Sequence, residues 1–579
     1  MNNIPQNYKT AANKLPDRIL TWRLYGAGLE NLGKEGKPEQ YPMPAFGPDQ
    51  LLLRIDAVGI CFSDIKVINQ GSEHPRLVGR DLKTDPVTLG HETAATVVGV
   101  GDTLKDRFSV GQRYVIQPDV FFGGKSMAFG YALPGAQTQY QVVGREILEG
   151  DEGSYLMPIQ DATGYAEAAL AEPWACVVAS YRITRRSAIK ESGAMWFIGT
   201  PDDRDDCTLD MDITSRLVIV SDVSPRLHDE LRAMASAGKF ELIEGPSFRI
   251  VDVNEIAAKY GMFDDIVILG SNADAVEQAA TVLGKYGVMA ILSDEDLGRS
   301  VKIDVGKVHY MDHAYVGATT DRLSDAYKSL RAQSEVKPGG SAWFIGAGGP
   351  MGQMHVQRAV ELENGPKKIL ATDVDTARLE SVRQRFAPIA ERRGVELKVV
   401  NPKELSAEAF DSILKDFTEG AGFDDIVVLA PVAALIEQAV AYMGSESLMN
   451  IFAGVPIGTI ASLDISAVYS RSVRFVGSSG SKVTDMRDTL HATESGALST
   501  NTSVAAIGGI DATWEGMKAV KEGRFPGRVV IYPQIEHLPL TGVPDLKSAH
   551  PKVYALLADG MFWTRAAEAE LLREMMKYE

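Results

Sequence analysis

Part of this chain is written twice, and any fold it adopts must accommodate the duplication. The segment MWFIGT, with Trp196 to Gly199, recurs as AWFIGA, with Trp343 to Gly346, and LVIVSDVSPRL around Asp222 recurs as ILATDVDTARL around Asp373. FDDIVILG begins at Phe263 and FDDIVVLA at Phe423, 160 residues later. That spacing then holds without a gap through Glu277-Gln278 and Glu437-Gln438 to Tyr315-Val316-Gly317 and Phe475-Val476-Gly477. Each copy alternates short β-branched runs with amphipathic stretches such as AVEQAATVLGKYG, the pattern of strand, crossover helix and parallel strand. Two tandem doubly wound α/β domains are therefore expected, over 189–333 and 336–495, with SEVKPGG (334–340) as the linker.

Residues 1–188 are instead rich in glycine and short Val/Ile runs (LLLRIDAVGI, ATVVGVGD, GQRYVIQ), which predicts a β-dominated unit. After the repeat come the strand GRVVIYP and the helix-forming tail WTRAAEAELLREMMKYE, so residues 496–579 complete a unit split around the repeat. The 45% apolar and 23% charged content is that of a globular chain. With 59 basic against 77 acidic residues the net charge is −18, which repels nucleic acid and anionic membranes. No window approaches the roughly 20 apolar residues of a membrane-spanning helix. Three scattered cysteines, Cys61, Cys176 and Cys207, form no disulfide framework, and MNNIPQNYKTAANKLPDRIL has no apolar leader core; a reducing, cytoplasmic setting is expected.

The second copy carries a phosphate-binding pattern. SAWFI runs into GAGGPMG, with Gly346, Gly348, Gly349 and Gly352, and then into a helix expected near Gln353. Such a turn lets backbone amides approach a pyrophosphate at a helix N-terminus. Asp373 closes the next strand, where a carboxylate accepts ribose hydroxyls and disfavours a 2′-phosphate; this points to NAD over NADP. The first copy reads TPDDRDDCTLD after Gly199, and Asp202, Asp203, Asp205 and Asp206 would repel an anion there. The expectation is a domain that kept its fold, lost its cofactor and serves packing or assembly; a second ligand site of another kind is the alternative.

Three separated pieces supply metal-ligand chemistry. VGICFSDIK contributes Cys61, Ser63 and Asp64 on a loop after a strand, VTLGHETAATVVGVG contributes His91 and Glu92, and LAEPWACVVAS contributes Glu172 and Cys176. Thiolate, imidazole and carboxylate are the donors Zn²⁺ accepts, with one position left open for catalysis. Singly, Cys61 reads as a buried small hydrophobe, His91 as a turn residue and Glu172 as a solvated charge.

Taken together, GICFSD, GHETA, VGVGD, FSVGQRYVIQP, AEPWACVVAS, and GAGGPMG with ATDVDTARL follow the order found in zinc-dependent medium-chain alcohol and polyol dehydrogenases. The chain resembles their sorbitol and sugar-alcohol or sugar-phosphate branch over about 45–185 and 335–535. The resemblance implies a β-rich GroES-like catalytic domain, a Rossmann domain between its two parts, and hydride transfer between NAD and a secondary alcohol of a polyol, sugar or sugar phosphate. Carried over by position, Cys61, His91 and Glu92 are zinc ligands, and Glu172 is the fourth ligand or holds zinc-bound water. Cys176 is a poorer ligand candidate. Ser63 relays the alcohol proton and Asp64 orients the loop. The implied cofactor contacts are Gly346, Gly348, Gly349, Pro350, Met351, Gly352, Asp373 and Arg378, and a homo-oligomer, dimer or tetramer, is expected. An epimerase or lyase that retains zinc and NAD, or a non-catalytic nucleotide-responsive assembly protein, would share these features.

Departures narrow the expectation. VIQPDVFFGGKSMAFGYALPG lacks the four cysteines of a structural zinc lobe, so one zinc per chain is expected. Lys66 stands where relatives often carry the histidine ending the proton relay; a relay lysine and a solvated one are both open. The long interval GSEHPRLVGRDLK brings His74, Arg76, Arg80 and Lys83, either a solvated loop or a seat for a substrate phosphate. Phe62, where glycine is common, either narrows the pocket or packs in the core.

Overall fold

The computed structural model describes residue 8 and residues 14–199, 207–249, 251–328 and 331–576. The chain forms two compact units, one from 1–179, 349–354 and 480–579, the other from 180–348 and 355–479. The first unit is built on the ten-residue strand Leu51–Ile60, buried along its whole length. It pairs antiparallel with Glu92–Val100, Tyr140–Val143 and Arg528–Tyr532 inside an eight-stranded sheet. The register sets Glu92 opposite Gly59 and Val529 opposite Ile60, so three separate parts of the sequence end side by side. The unit resumes at 480, ahead of the expected 496, because helix Val483–Ser495 packs against helix Tyr165–Ala169.

The second unit holds both copies of the repeat. One six-stranded parallel sheet runs in the order Glu241–Glu244, Leu217–Ser221, Ala194–Ile198, Phe263–Leu269, Leu283–Leu292, Ala314–Ala318. The other runs Glu396–Val400, Lys368–Thr372, Ser341–Ile345, Phe423–Val428, Met443–Ile451, Arg474–Val476. Both have the doubly wound order in which the chain reverses beside its first strand. The FDD motif anchors each sheet to the segment before it. Buried Asp265 accepts from Arg186 Nη1 at 2.8 Å, Lys190 N at 3.0 Å and Tyr327 Oη at 2.6 Å. Asp425 accepts from Arg331 Nη2 at 2.7 Å and Lys337 N at 2.7 Å. The linker is thereby built in, with Ser334 Oγ also donating to the Ser180 carbonyl at 2.8 Å.

The two copies meet about a pseudo-two-fold axis. Val301–Asp304 pairs antiparallel with Ile460–Leu463 so that Lys302 faces Ser462, its own counterpart in the 160-residue repeat. Glu277 accepts the Lys302 N–H at 2.8 Å, and Glu437 accepts the Ser462 N–H at 2.6 Å. A Cβ on Gly317 would lie 2.8 Å from the Tyr469 Cβ, and one on the equivalent Gly477 would lie 2.8 Å from the Cα of the equivalent His309. Reciprocal contacts of this kind define an isologous interface, here within one polypeptide and over one shared core. Among the described residues no helix is long and apolar enough to cross a membrane.

Because the seam has no room at either glycine, Gly477→Ala should lower stability by about 1–3 kcal/mol, the usual cost of overpacking. Urea unfolding measures it; an unchanged midpoint would mean that the seam is looser than its geometry.

Candidate active site

Cys61 follows directly on the end of strand Leu51–Ile60 and caps helix Phe62–Gln70. Ser63 and Asp64 thus lie in the first turn of a helix, where the sequence suggested a loop. Asp64 is fully buried; its Oδ2 accepts the Cys61 N–H at 3.0 Å and its Oδ1 the Gly90 N–H at 3.4 Å. One carboxylate therefore ties the Cys61 turn to the segment bearing His91. It also lies 3.3 Å from His91 Nδ1, near enough for charge attraction but out of hydrogen-bond alignment. Ser63 Oγ stands 3.2 Å from His91 Nε2, and the Tyr131 ring packs on the imidazole with centroids 5.4 Å apart.

One donor atom each from Cys61, His91 and Glu92 falls within 4.8 Å of the others, the one such grouping found among the described residues. A Cβ on Gly59 would come 2.0 Å from Glu92 Oε2, so the strand needs glycine where that carboxylate lies. Burial raises the Cys61 thiol, but His91 and the Arg528 guanidinium together bring it below its ordinary range, which favours the thiolate that a metal requires. Glu172, in helix Ala171–Ser180, is buried, and burial pushes its carboxyl well above the usual range against the pull of His91. It lies within the electrostatic reach of Cys61 and His91 but outside the tight trio. Cys176 Sγ is 3.9 Å from Glu172 Oε1, and burial pushes its thiol up, as suits an inert neighbour.

Sequence reasoning missed Arg528. It opens strand Arg528–Tyr532, is buried, and donates Nη2 to Glu92 Oε1. Glu92 Oε2 and His91 Nδ1 remain buried without a hydrogen-bond partner. The donor set, the cradle at Gly59 and these unpartnered atoms fit a divalent ion such as Zn²⁺. The strand GRVVIYP was visible in the sequence, but its arginine gains meaning only from the sheet register. Arg528 Nη1 also lies 3.9 Å from Met351 Sδ, in the first turn of helix Pro350–Glu361.

That helix begins at Pro350, three residues before the expected Gln353. Proline suits this first position because its missing N–H would have no partner there. Gly346 has φ +85°, a conformation that favours glycine. A Cβ on Gly348 would lie 2.7 Å from Arg378 Cβ and 2.9 Å from Asp373 Oδ2, while its N–H donates to Asp373 Oδ2 at 2.9 Å. Gly348 is therefore the glycine that seats against the acidic strand end. The second Asp373 oxygen accepts the Asp375 N–H at 3.1 Å, and Arg378 Nε lies 3.5 Å from Asp375. Bare backbone, a helix start and a fixed carboxylate fit a dinucleotide. In the first copy Asp222 holds the position of Asp373, but its Oδ2 is bound by Phe248 N at 2.7 Å and Ser247 Oγ at 2.9 Å. Asp202, Asp203, Asp205 and Asp206 lie outside the described residues.

The other candidates separate by environment. Lys66 is exposed on helix Phe62–Gln70, and its charge lowers His74 only after burial and Arg76. Phe62 is 54% exposed, which removes the core-packing alternative. Arg76 pairs with Asp119 at 2.9 Å and stands 5.1 Å over the Tyr131 ring. Arg80 is committed to Asp85 at 3.0 Å and to the Tyr131 and Ala132 carbonyls. Lys83 is exposed.

The alcohol dehydrogenase GroES-like domain matches residues 47–174. A mannitol-1-phosphate 5-dehydrogenase of Aliivibrio fischeri is 22% identical over 92% of this chain and 93% of its own. An L-sorbose 1-phosphate reductase of Klebsiella pneumoniae is 26% identical over 54% of this chain and 78% of its own. In fold, an alcohol dehydrogenase from Thermotoga maritima superimposes with a TM-score of 0.51 at 12% identity, over 89% of this chain and 99% of that one.

Replacing Arg528 by Met should strand the buried Glu92 carboxylate and cost about 3–5 kcal/mol of stability in the metal-free protein. The double variant E92Q/R528M should recover much of that loss; equal losses in chemical denaturation would mean that the pair is not coupled. The chain thus carries an alcohol dehydrogenase GroES-like domain over residues 47–174 and, in its doubly wound sheets and its sugar-phosphate dehydrogenase and reductase relatives, is similar to the zinc-type alcohol and polyol dehydrogenases.

Proposed function

We propose that this protein is a zinc- and NAD-linked dehydrogenase that oxidises a secondary alcohol of a sugar phosphate or polyol, or reduces the matching ketone. The observation that carries this reading is the buried convergence of Cys61, His91 and Glu92, with Glu172 beside them. These side chains would hold one zinc per chain, with Glu172 as a further ligand or as the acceptor for a bound water. Gly346, Gly348, Gly349, Pro350, Met351 and Gly352 would receive the pyrophosphate, with Asp373 on the ribose and Arg378 beside it. When bound, zinc supplies Lewis acidity toward the alcohol oxygen and NAD supplies the hydride acceptor.

The protein's own groups handle position and protons. Asp64 fixes the Cys61 turn to the His91 segment, and Arg528 holds the inner oxygen of Glu92. Ser63 Oγ, 3.2 Å from His91 Nε2, is placed to take the alcohol proton. Ser63 hands that proton on to water, since Lys66, three residues along the same helix, is exposed and fits the solvated alternative. Names of relatives that act on phosphorylated sugars support a phosphorylated substrate. Arg76, which feels Glu172 electrostatically, is the guanidinium best placed to meet the phosphate, by exchanging its bond to Asp119. The first α/β copy acts as the packing partner of the second and binds no NAD.

A screen of polyols and sugar phosphates should produce free NADH with at least one of them; conversion without NADH accumulation would favour the epimerase or lyase chemistry instead. Metal analysis should give about one zinc per chain, lost in Cys61→Ser with the fold retained. Asp373→Ala should weaken NAD binding, at one equivalent per chain in the unaltered protein. Arg76→Gln should raise KM for a phosphorylated substrate and leave its unphosphorylated analogue unchanged; equal effects on both would remove Arg76 from the phosphate seat.

A further inference from the structure

At the seam between the two α/β copies lies a cavity of about 230 Å³. Arg185, Arg331 and Arg474 line it, together with Lys328 and residues 317–320. In a chain of net charge −18 this is a concentration of guanidinium groups. Arg331 is balanced by Asp425 at 2.7 Å. The other two have no carboxylate partner among the described residues. Arg474 is only 8% exposed and donates Nη1 to the Arg331 carbonyl. Burial, then Arg185 and Arg331, push it down to about 10. Arg185 donates only to carbonyls, of Arg186 at 3.2 Å, Tyr327 at 3.1 Å and Lys328 at 2.9 Å, and its Nε is buried without a partner. Of the two acids on the rim, Glu446 is exposed and Asp325 accepts from Thr320 Oγ1 at 2.8 Å.

The repeat supplies an internal control. Arg474 faces Leu448 across its sheet, and Ala314 faces Val288 at the equivalent place in the first copy. The strand end packs there without a guanidinium, so Arg474 is not required by the architecture. A buried cation without a counter-ion is costly, and guanidinium groups are suited to tetrahedral oxyanions.

We propose that this cavity binds a phosphate-type oxyanion, either the free ion or the head of a small phosphomonoester, between Arg474 and Arg185. The site is independent of the alcohol-oxidising reading, since it lies wholly in the unit that carries the two parallel sheets. The test is the thermal midpoint of the full chain titrated with inorganic phosphate, against chloride at matched ionic strength, with glycerol 3-phosphate as a second arm. A saturable rise is expected. Arg474→Met and the less buried Arg185→Gln should each raise the half-saturating concentration roughly tenfold or more, as loss of a charge-assisted hydrogen bond does. Arg76→Gln, in the other unit, should leave it unchanged. Equal responses to the two probes assign the site to the free ion, and a stronger response to glycerol 3-phosphate assigns it to the ester. No saturable rise above chloride, or a rise that survives both Arg474→Met and Arg185→Gln, would overturn the proposal.

Discussion

The register of strand Leu51–Ile60 is the constraint on which the site depends. Two of the strands it pairs with are drawn from residues 92–100 and 528–532, and a shift of one residue in either pairing would turn every side chain to the other face. With the observed register, Cys61, His91, Glu92 and Arg528 gather at one end of the sheet, and Gly59 leaves space for the Glu92 carboxylate. Asp64 then joins the two turns with backbone hydrogen bonds. Long-range pairing thus builds a polar cluster that no local sequence window contains.

The same economy governs the repeated domains. Asp265 and Asp425 each gather an arginine from the preceding segment and a backbone N–H, so each sheet is fastened to the chain that leads into it. These are buried charges, and their hydrogen bonds offset the cost of removing them from water. The neighbouring acids take the paired role on the surface: Asp264 binds Lys190 and Asp424 binds Lys337, both at 2.6 Å.

Much of this was legible in the sequence because periodicity and repetition are local. The alternating runs forecast both parallel sheets, and the spacing between Phe263 and Phe423 carried through to the paired strands. Cys61, His91 and Glu92 were recognisable by donor chemistry, and Gly346 by the turn it begins. Arg528 was not, because its meaning comes from a partner 436 residues away. The helix start at Pro350 was misplaced because the glycines before it mask the boundary. The basic interval resolved only in three dimensions, where Arg80 proved committed to Asp85 and to carbonyls while the exposed Arg76 kept a single half-buried carboxylate partner, Asp119.

Lys302 facing Ser462 across the axis carries an evolutionary consequence. In an assembly of identical subunits every mutation appears on both sides of the two-fold at once, so neither side can specialise. Fusion lifts that restriction, and here the sides already differ, with alanine at 314 against arginine at 474. Selection acting on one polypeptide can therefore preserve the glycine-rich turn and its acidic strand end in one half while freeing the other to drift toward a different task.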